Sequence, residues 1–135
     1  HLKAQIDAAS EARRLAGCNA LDSWIQKRLA DGLEGDIVLA GDYNDKITDA
    51  PEHNVFEVFL AAPEQYRFLT QEVVDDDDYS YIPFTSLIDH VLVTTSVLAA
   101  YGNGSTQAVH LESTVAGYES SVSDHRPILT RFASP

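Results

Sequence analysis

A short apolar run that stops abruptly at hydrogen-bonding residues limits the folds open to this chain. Ile37 to Ala40 is followed directly by Gly41, Asp42, Tyr43 and Asn44. An apolar run bounded by turn-forming residues predicts a buried strand. In extended backbone, side chains two apart point the same way, so we expect Asp42 and Asn44 on one side and Tyr43 on the other. Asp42 offers a charge and a base, and Asn44 an amide that can orient a phosphoryl oxygen or a water, although the same residues also build ordinary turns.

Two later runs repeat this combination of apolar and ionisable residues. Leu87 to Val93 is a second apolar run with Asp89 and His90 in its middle. Ser123 to Leu129 places an acid and a histidine at the start of a third run. Strand alternation points His90 opposite to Asp89, so His90 is interpreted as structural.

These three segments carry a family resemblance. Gly-Asp-Tyr-Asn, Ile-Asp-His-Val-Leu and Ser-Asp-His-Arg-Pro-Ile, in this order, resemble the last three signature motifs of the endonuclease/exonuclease/phosphatase superfamily, the metal-dependent phosphodiesterases related to deoxyribonuclease I. The resemblance implies an α+β fold, a two-layer β-sandwich flanked by helices (four layers, α/β/β/α). Residues 1–135 would form the C-terminal half of that fold.

The resemblance also implies roles for individual residues. Asp124 would ligate or lie beside a Mg²⁺ or Mn²⁺ ion. His125 would contact the scissile phosphate while Asp89 holds its other ring nitrogen, and a carboxylate in that position fixes the tautomer of the ring. Asp42 would activate the attacking water or manage the leaving-group proton, and Asn44 would orient the phosphoryl group.

Two further candidate contacts to substrate lie outside these motifs. His1, followed by Leu2, resembles the family histidine that ends a core strand and contacts the phosphate or leaving oxygen, although it could equally be an unstructured end. Tyr81 lies in an aromatic loop before the second motif, where substrate contacts concentrate, and could stack on a base. The acidic run Asp75 to Asp78 is interpreted as a solvated loop, with a peripheral calcium site as the alternative.

The remaining sequence predicts helices and strands around these segments. Ser10 to Ala30 has the four-residue apolar spacing of a helix, capped by Asp7 or Ser10, with Trp24 and Cys18 expected in the core. Tyr66 to Val74 is weakly alternating and predicts an edge strand or an extended segment. Pro127 to Phe132 predicts the closing strand.

Charge and composition restrict the partners. Nine Lys and Arg residues against 21 Asp and Glu give a net charge of −12, which opposes a broad, sequence-independent nucleic-acid groove. No run approaches the ~18 apolar residues of a membrane span. The chain begins with histidine and contains no methionine, so it is expected to be a piece of a longer chain. The missing half, or a second copy, is then the expected partner because an open sheet edge favours association.

The leading hypothesis is a metal-dependent phosphodiester hydrolase, with nuclease as its commonest form. Two alternatives remain open: a phosphatase or lipid phosphodiesterase of the same superfamily, and a catalytically silent half domain. A secreted or periplasmic location is slightly favoured, but the single Cys18 leaves the compartment undetermined.

Overall fold

The structure, a computed structural model, describes residues 1–133 and is α+β, as expected from the sequence. Besides three short 3-10 helices, the described residues form five α-helices and five strands: α1 (Ala8–Ala30), β1 (Val38–Asp42), α2 (Glu57–Leu60), β2 (Tyr66–Phe68), α3 (Gln71–Asp75), β3 (Asp89–Thr94), α4 (Leu98–Tyr101), β4 (Ser105–Ala108), α5 (Tyr118–Ser121) and β5 (Ile128–Arg131). Within the described residues, none of the helices is long and apolar enough to cross a membrane.

Two small antiparallel sheets organise these elements. The first has the strand order β1-β3-β2, and the second pairs β4 with β5. Residues 90–94 of the central strand β3 are all buried, which explains why its sequence is a continuous apolar run. The β1–β3 register places Asp42 directly opposite Asp89. The first two sequence motifs therefore meet at one end of this sheet.

The long helix α1 confirms the predicted helix but not its predicted buried side. Asp7 caps it by accepting a hydrogen bond from the Ser10 N–H at 3.0 Å. Its buried residues form a stripe of mixed chemistry: Ser10, Arg14, Cys18 and Ile25. Trp24 lies beside this stripe and is 50% exposed, so its expected place in the core was wrong. The guanidinium carbon of Arg28 lies 4.9 Å from the centroid of its ring.

An aromatic core lies beneath the first sheet. Phe56, Phe68 and Tyr43 surround the imidazole of His90 with ring centroids 5.3 to 5.9 Å away. His90 is 1% exposed, which confirms its structural interpretation. Tyr43 is likewise buried, as strand alternation predicted.

Two predictions, for a strand and for a loop, hold only in part: Tyr66–Phe68 is an edge strand, and Asp75 to Asp77 are exposed. The predicted strand Tyr66 to Val74 ends at Phe68, and the chain then forms the short helix α3, which packs beside β4. The acidic run is not uniformly solvated either. Asp75 ends α3, whereas Asp78 forms an ion pair with the buried Arg126 at 2.7 Å. Long-range packing, which sequence periodicity does not report, decides both segments.

Candidate active site

Three chain segments converge at the end of the first sheet. Asp42 and Asp89 face each other across the β1–β3 ladder. The third segment is held beside residues 80–82, because the Ile82 N–H donates to the Asp124 carbonyl at 3.0 Å and the Arg126 N–H donates to the Ser80 carbonyl at 2.7 Å. This backbone pairing brings His125 to Asp89.

His125 and Asp89 form the pair that the sequence predicted. The His125 Nδ1–H donates to Asp89 Oδ2 at 2.6 Å. That bond leaves Nε2 directed away from the carboxylate and available to a ligand. The Asp89 backbone is fixed in turn, because its N–H donates to Ser80 Oγ at 3.1 Å. Both side chains are only about one-quarter exposed, so the pair is partly shielded from water.

The turn after β1 holds Asn44 beside Asp42. The Asn44 N–H donates to Asp42 Oδ1 at 2.8 Å, and Asn44 has φ +54°, in the left-handed region. The extended backbone assumed from the sequence therefore stops at Asp42. A side-chain turn, rather than strand alternation, brings these two residues to the same place.

The amino-terminal residues complete this side of the site. The Leu2 N–H donates to the Asp42 carbonyl at 2.9 Å, and Asn44 Nδ2 donates to the Leu2 carbonyl at 3.2 Å. His1 Nε2 lies 3.0 Å from Asn44 Nδ2 and 3.3 Å from Asp42 Oδ2. A bare Nε2 accepts from the amide, whereas a protonated one donates to the carboxylate. His1 is therefore next to its predicted neighbours, although its side chain is 66% exposed.

Tyr81 also lies at the site. Its backbone forms an isolated β-bridge with His125, and the two ring centroids are 4.9 Å apart. On Tyr81 stacks the ring of Phe84, at 5.7 Å and an interplanar angle of 24°. The aromatic loop predicted from the sequence thus touches the histidine of the third motif.

Asp124 is the most exposed of the predicted site residues within the three motifs. Its carboxylate is 54% exposed, and Oδ1 lies 4.0 Å from His125 Nε2. The tighter group of potential metal ligands is a different one, formed by Asp42, Asp89 and His125, whose ligand atoms all lie within 4.8 Å of one another. The assignment of Asp124 as a ligand stays a prediction.

Electrostatics favour a positive charge between Asp42 and Asp89. Burial raises the pKa of the Asp42 carboxyl, and the neighbouring Asp89 carboxylate acts in the same direction. Like charges directly opposite each other on neighbouring strands are destabilising. Carboxylate oxygens are the ligands that Mg²⁺ and Mn²⁺ prefer, so the residues present fit such an ion.

The sequence reasoning missed a buried ion pair beside the site, which joins Arg14 to Asp45. Arg14 Nε donates to Asp45 Oδ2 at 2.8 Å, and Arg14 Nη1 donates to the carbonyls of Lys3 and Gln5 at 3.0 and 2.6 Å. This arginine therefore links the amino-terminal segment to the turn after β1. Its position within the buried stripe of α1, at four-residue spacing from Ser10 and Cys18, was the available signal.

A second buried arginine, Arg126, directly follows His125. It donates to Asp78 and Glu112 and lies 3.8 Å over the ring of Tyr79. Its two carboxylate partners come from separate segments of the chain, so this arginine links both segments to the residue after His125.

Comparison with known proteins identifies no relatives: no family model matches this sequence, and no curated protein matches it. The superfamily resemblance of the three motifs therefore stays a prediction.

Proposed function

We propose that this chain carries part of the active site of a metal-dependent phosphodiester hydrolase related to deoxyribonuclease I. The observation that carries the proposal is the convergence of Asp42 and Asn44, Asp89, and His125 from three separate segments around one small space. The His125–Asp89 hydrogen bond of 2.6 Å is its most specific part. Phosphodiester hydrolysis needs such a set: carboxylates, a hydrogen-bond donor to the phosphate, and a group that orients the phosphoryl oxygens.

The residues divide the work by their chemistry. His125, held by Asp89 through Nδ1, presents Nε2 to a non-bridging oxygen of the phosphate. The Asn44 amide donates a hydrogen bond to the phosphoryl group. Asp42 either accepts a proton from the attacking water or, when protonated, donates one to the leaving oxygen. The Asp42 and Asp89 carboxylates would hold a divalent cation, with Asp124 as a further ligand or neighbour, and this ion would supply positive charge that neutralises the phosphate.

The finer architecture belongs to the same proposal. In the superfamily, a chain like this supplies the second half of a four-layer α/β/β/α sandwich. The exposure of Val38, at 47%, and of Ala40 on the outward face of β1 supports this proposal, because a further layer of the sandwich would cover these residues. The partner would be the first half of the fold or a second copy of this chain, and it would contribute further metal ligands.

Exchange of the central histidine tests the proposal. Purified protein is assayed with Mg²⁺ or Mn²⁺ on plasmid DNA and on bis(p-nitrophenyl) phosphate. His125→Ala is expected to lower the rate by about 10²-fold or more, the usual contribution of a positioned acid or base. The matched control is His53→Ala, because the His53 side chain is 72% exposed and pairs only loosely with Glu11.

Two results would contradict the proposal. One is an equal rate for the two histidine variants. The other is hydrolysis that continues after chelation of divalent metal.

The second candidate is a catalytically silent domain with the same fold. Its supporting observation is the exposure of Asp124, whose carboxylate lies outside the tight group of Asp42, Asp89 and His125. Titration calorimetry with Mn²⁺ separates the two candidates. Absence of both metal binding and turnover favours the silent domain, whereas binding that is lost in Asp42→Asn supports the hydrolase.

A further inference from the structure

A groove of about 350 Å³ extends between the chain segments that flank the catalytic residues. Three segments line it: residues 46–48 shortly after Asn44, residues 84–87 shortly before Asp89, and residues 74–78. Its volume lies within the usual range of small-molecule sites in proteins. Because two of these segments lead directly to Asn44 and Asp89, a ligand in this groove can be one part of a molecule whose phosphate lies at His125.

Phe84 gives the groove a planar apolar surface. Its side chain lines the groove and is 73% exposed, the largest exposure of an aromatic residue on the described chain. The ring stacks on Tyr81, which in turn contacts His125. The three rings form a continuous series from the catalytic histidine to the groove. A further flat ring added at its end would stack in the same way.

The rest of the lining combines the apolar residues Ile47, Val74 and Leu87 with polar residues that carry more negative than positive charge. Thr48 and Thr85 provide exposed hydroxyls and Lys46 provides a cation, while Asp77 and Asp78 are anions, of which Asp78 pairs with Arg126. The Lys46 ammonium lies 3.8 Å from Asp49 Oδ1, which offsets its charge. Such a lining suits hydroxyl, carbonyl and amino groups rather than a second phosphate. The net charge of −12 also opposes a long polyanion.

We propose that this groove binds the nucleoside portion of a phosphodiester substrate, with the base on Phe84 and the sugar against the threonine hydroxyls. The inference rests on the proposed function, since it places the phosphate at Asp42, Asp89 and His125. It narrows the substrate class to short nucleotide phosphodiesters, which bring one or two phosphates and a flat ring.

Three esters that share one leaving group test this preference. The p-nitrophenyl esters of thymidine 5′-monophosphate, methyl phosphate and phosphocholine release the same chromophore and differ only in the retained group. The intact protein is expected to show a kcat/KM for the thymidine ester at least about fivefold above that for the methyl ester, the lower range of base stacking on an aromatic ring.

Phe84→Leu should abolish this preference, because leucine keeps the apolar surface but removes the ring. The ratio of its kcat/KM values for the thymidine and methyl esters, rather than either value alone, reports this loss. Trp24→Leu is the matched control, since Trp24 is a half-exposed aromatic residue on α1. The groove assignment is overturned if Phe84→Leu keeps the preference or if the phosphocholine ester is the best of the three.

A binding measurement decides the assignment independently of turnover. Thymidine 5′-monophosphate is titrated into the metal-free protein, and backbone amide shifts are followed by NMR. Shifts at Thr48, Phe84 and Thr85 that disappear in Phe84→Leu support the groove, whereas no shifts, or shifts only elsewhere, contradict it. If no ester is hydrolysed, the proposed function fails, and this titration still tests the groove.

Discussion

At the scale of single residues, neighbouring positions of β3 have opposite environments. Asp89 faces the site, whereas His90 faces the aromatic core. The His90 Nε2–H donates to the Asp45 carbonyl at 2.9 Å, and Nδ1 accepts from the Thr70 hydroxyl at 3.1 Å. Both ring nitrogens are therefore satisfied in the neutral form. Burial lowers the pKa of His90 to about 4.

This buried histidine makes stability depend on pH in one direction. The pKa of His90 is lower in the folded than in the unfolded chain, whose value is near 6.5. Its contribution is fully present above pH 6.5 and is lost as pH falls towards 4. The expected loss is about 3 kcal/mol. Denaturant unfolding at a series of pH values should show this component in the wild type and not in His90→Gln.

His53→Gln provides the control for this measurement. His53 is exposed, so the variant should keep the full acid dependence of the wild type. Parallel pH curves for the wild type and His90→Gln would contradict the prediction.

At the scale of elements, the spacing of apolar residues predicted the helices and strands whose formation depends mainly on their own sequence. The four-residue spacing predicted α1, and the apolar runs predicted β1 and β3 with the residues at their ends. The His125–Asp89 pair was expected from the family resemblance of the motifs, because local pattern does not report which segments meet in space. The helix α3 and the exposed side of Trp24 were not predictable in this way. Both depend on contacts with residues far away in the sequence, and the periodicity of a segment carries no information about those contacts.

The buried Arg14–Asp45 pair is the clearest element-level feature that the sequence did not reveal. Arg14→Met removes the partner of a nearly buried carboxylate and two carbonyl contacts to the amino-terminal segment. We expect a loss of about 3 to 5 kcal/mol in the free energy of unfolding. Equilibrium denaturation measures this loss. The control is Lys27→Met, which removes an exposed ion pair with Asp31 and should change the free energy of unfolding by less than about 1 kcal/mol.

The double variant Arg14→Met with Asp45→Leu should recover part of that stability, because no charge is then left buried alone. A double variant less stable than Arg14→Met would show that the carboxylate has another stabilising contact.

At the scale of the whole molecule, the first sheet is open at β1. The ladder alternates, so the backbone groups of Val38 and Ala40 point away from β3, and Leu2 covers only the end of this edge through its bond to Asp42. An uncovered edge with an apolar face is a template for another strand. The expected association with a missing half or a second copy stays a prediction.

A single substitution tests this association. Val38→Lys places a charge on the exposed edge and is expected to shift the wild-type protein from an associated form to the monomer, as measured by sedimentation or mass photometry. Leu33→Lys, at a site that is similarly exposed but outside the sheet, should not change the mass. A wild type that is monomeric at micromolar concentration would contradict the expectation.

The left-handed backbone at Asn44 has a consequence for how this position can vary. At φ +54°, asparagine, aspartate and glycine are the residues that the main chain accepts at little cost, while other L-residues lose roughly 1 to 2 kcal/mol. Glycine adopts this left-handed conformation readily but has no side-chain amide. Glutamine has the amide but adopts the conformation only at the cost given above. The positive φ and the side-chain amide thus both select asparagine, and we expect saturation mutagenesis of this codon to yield almost no other functional residue.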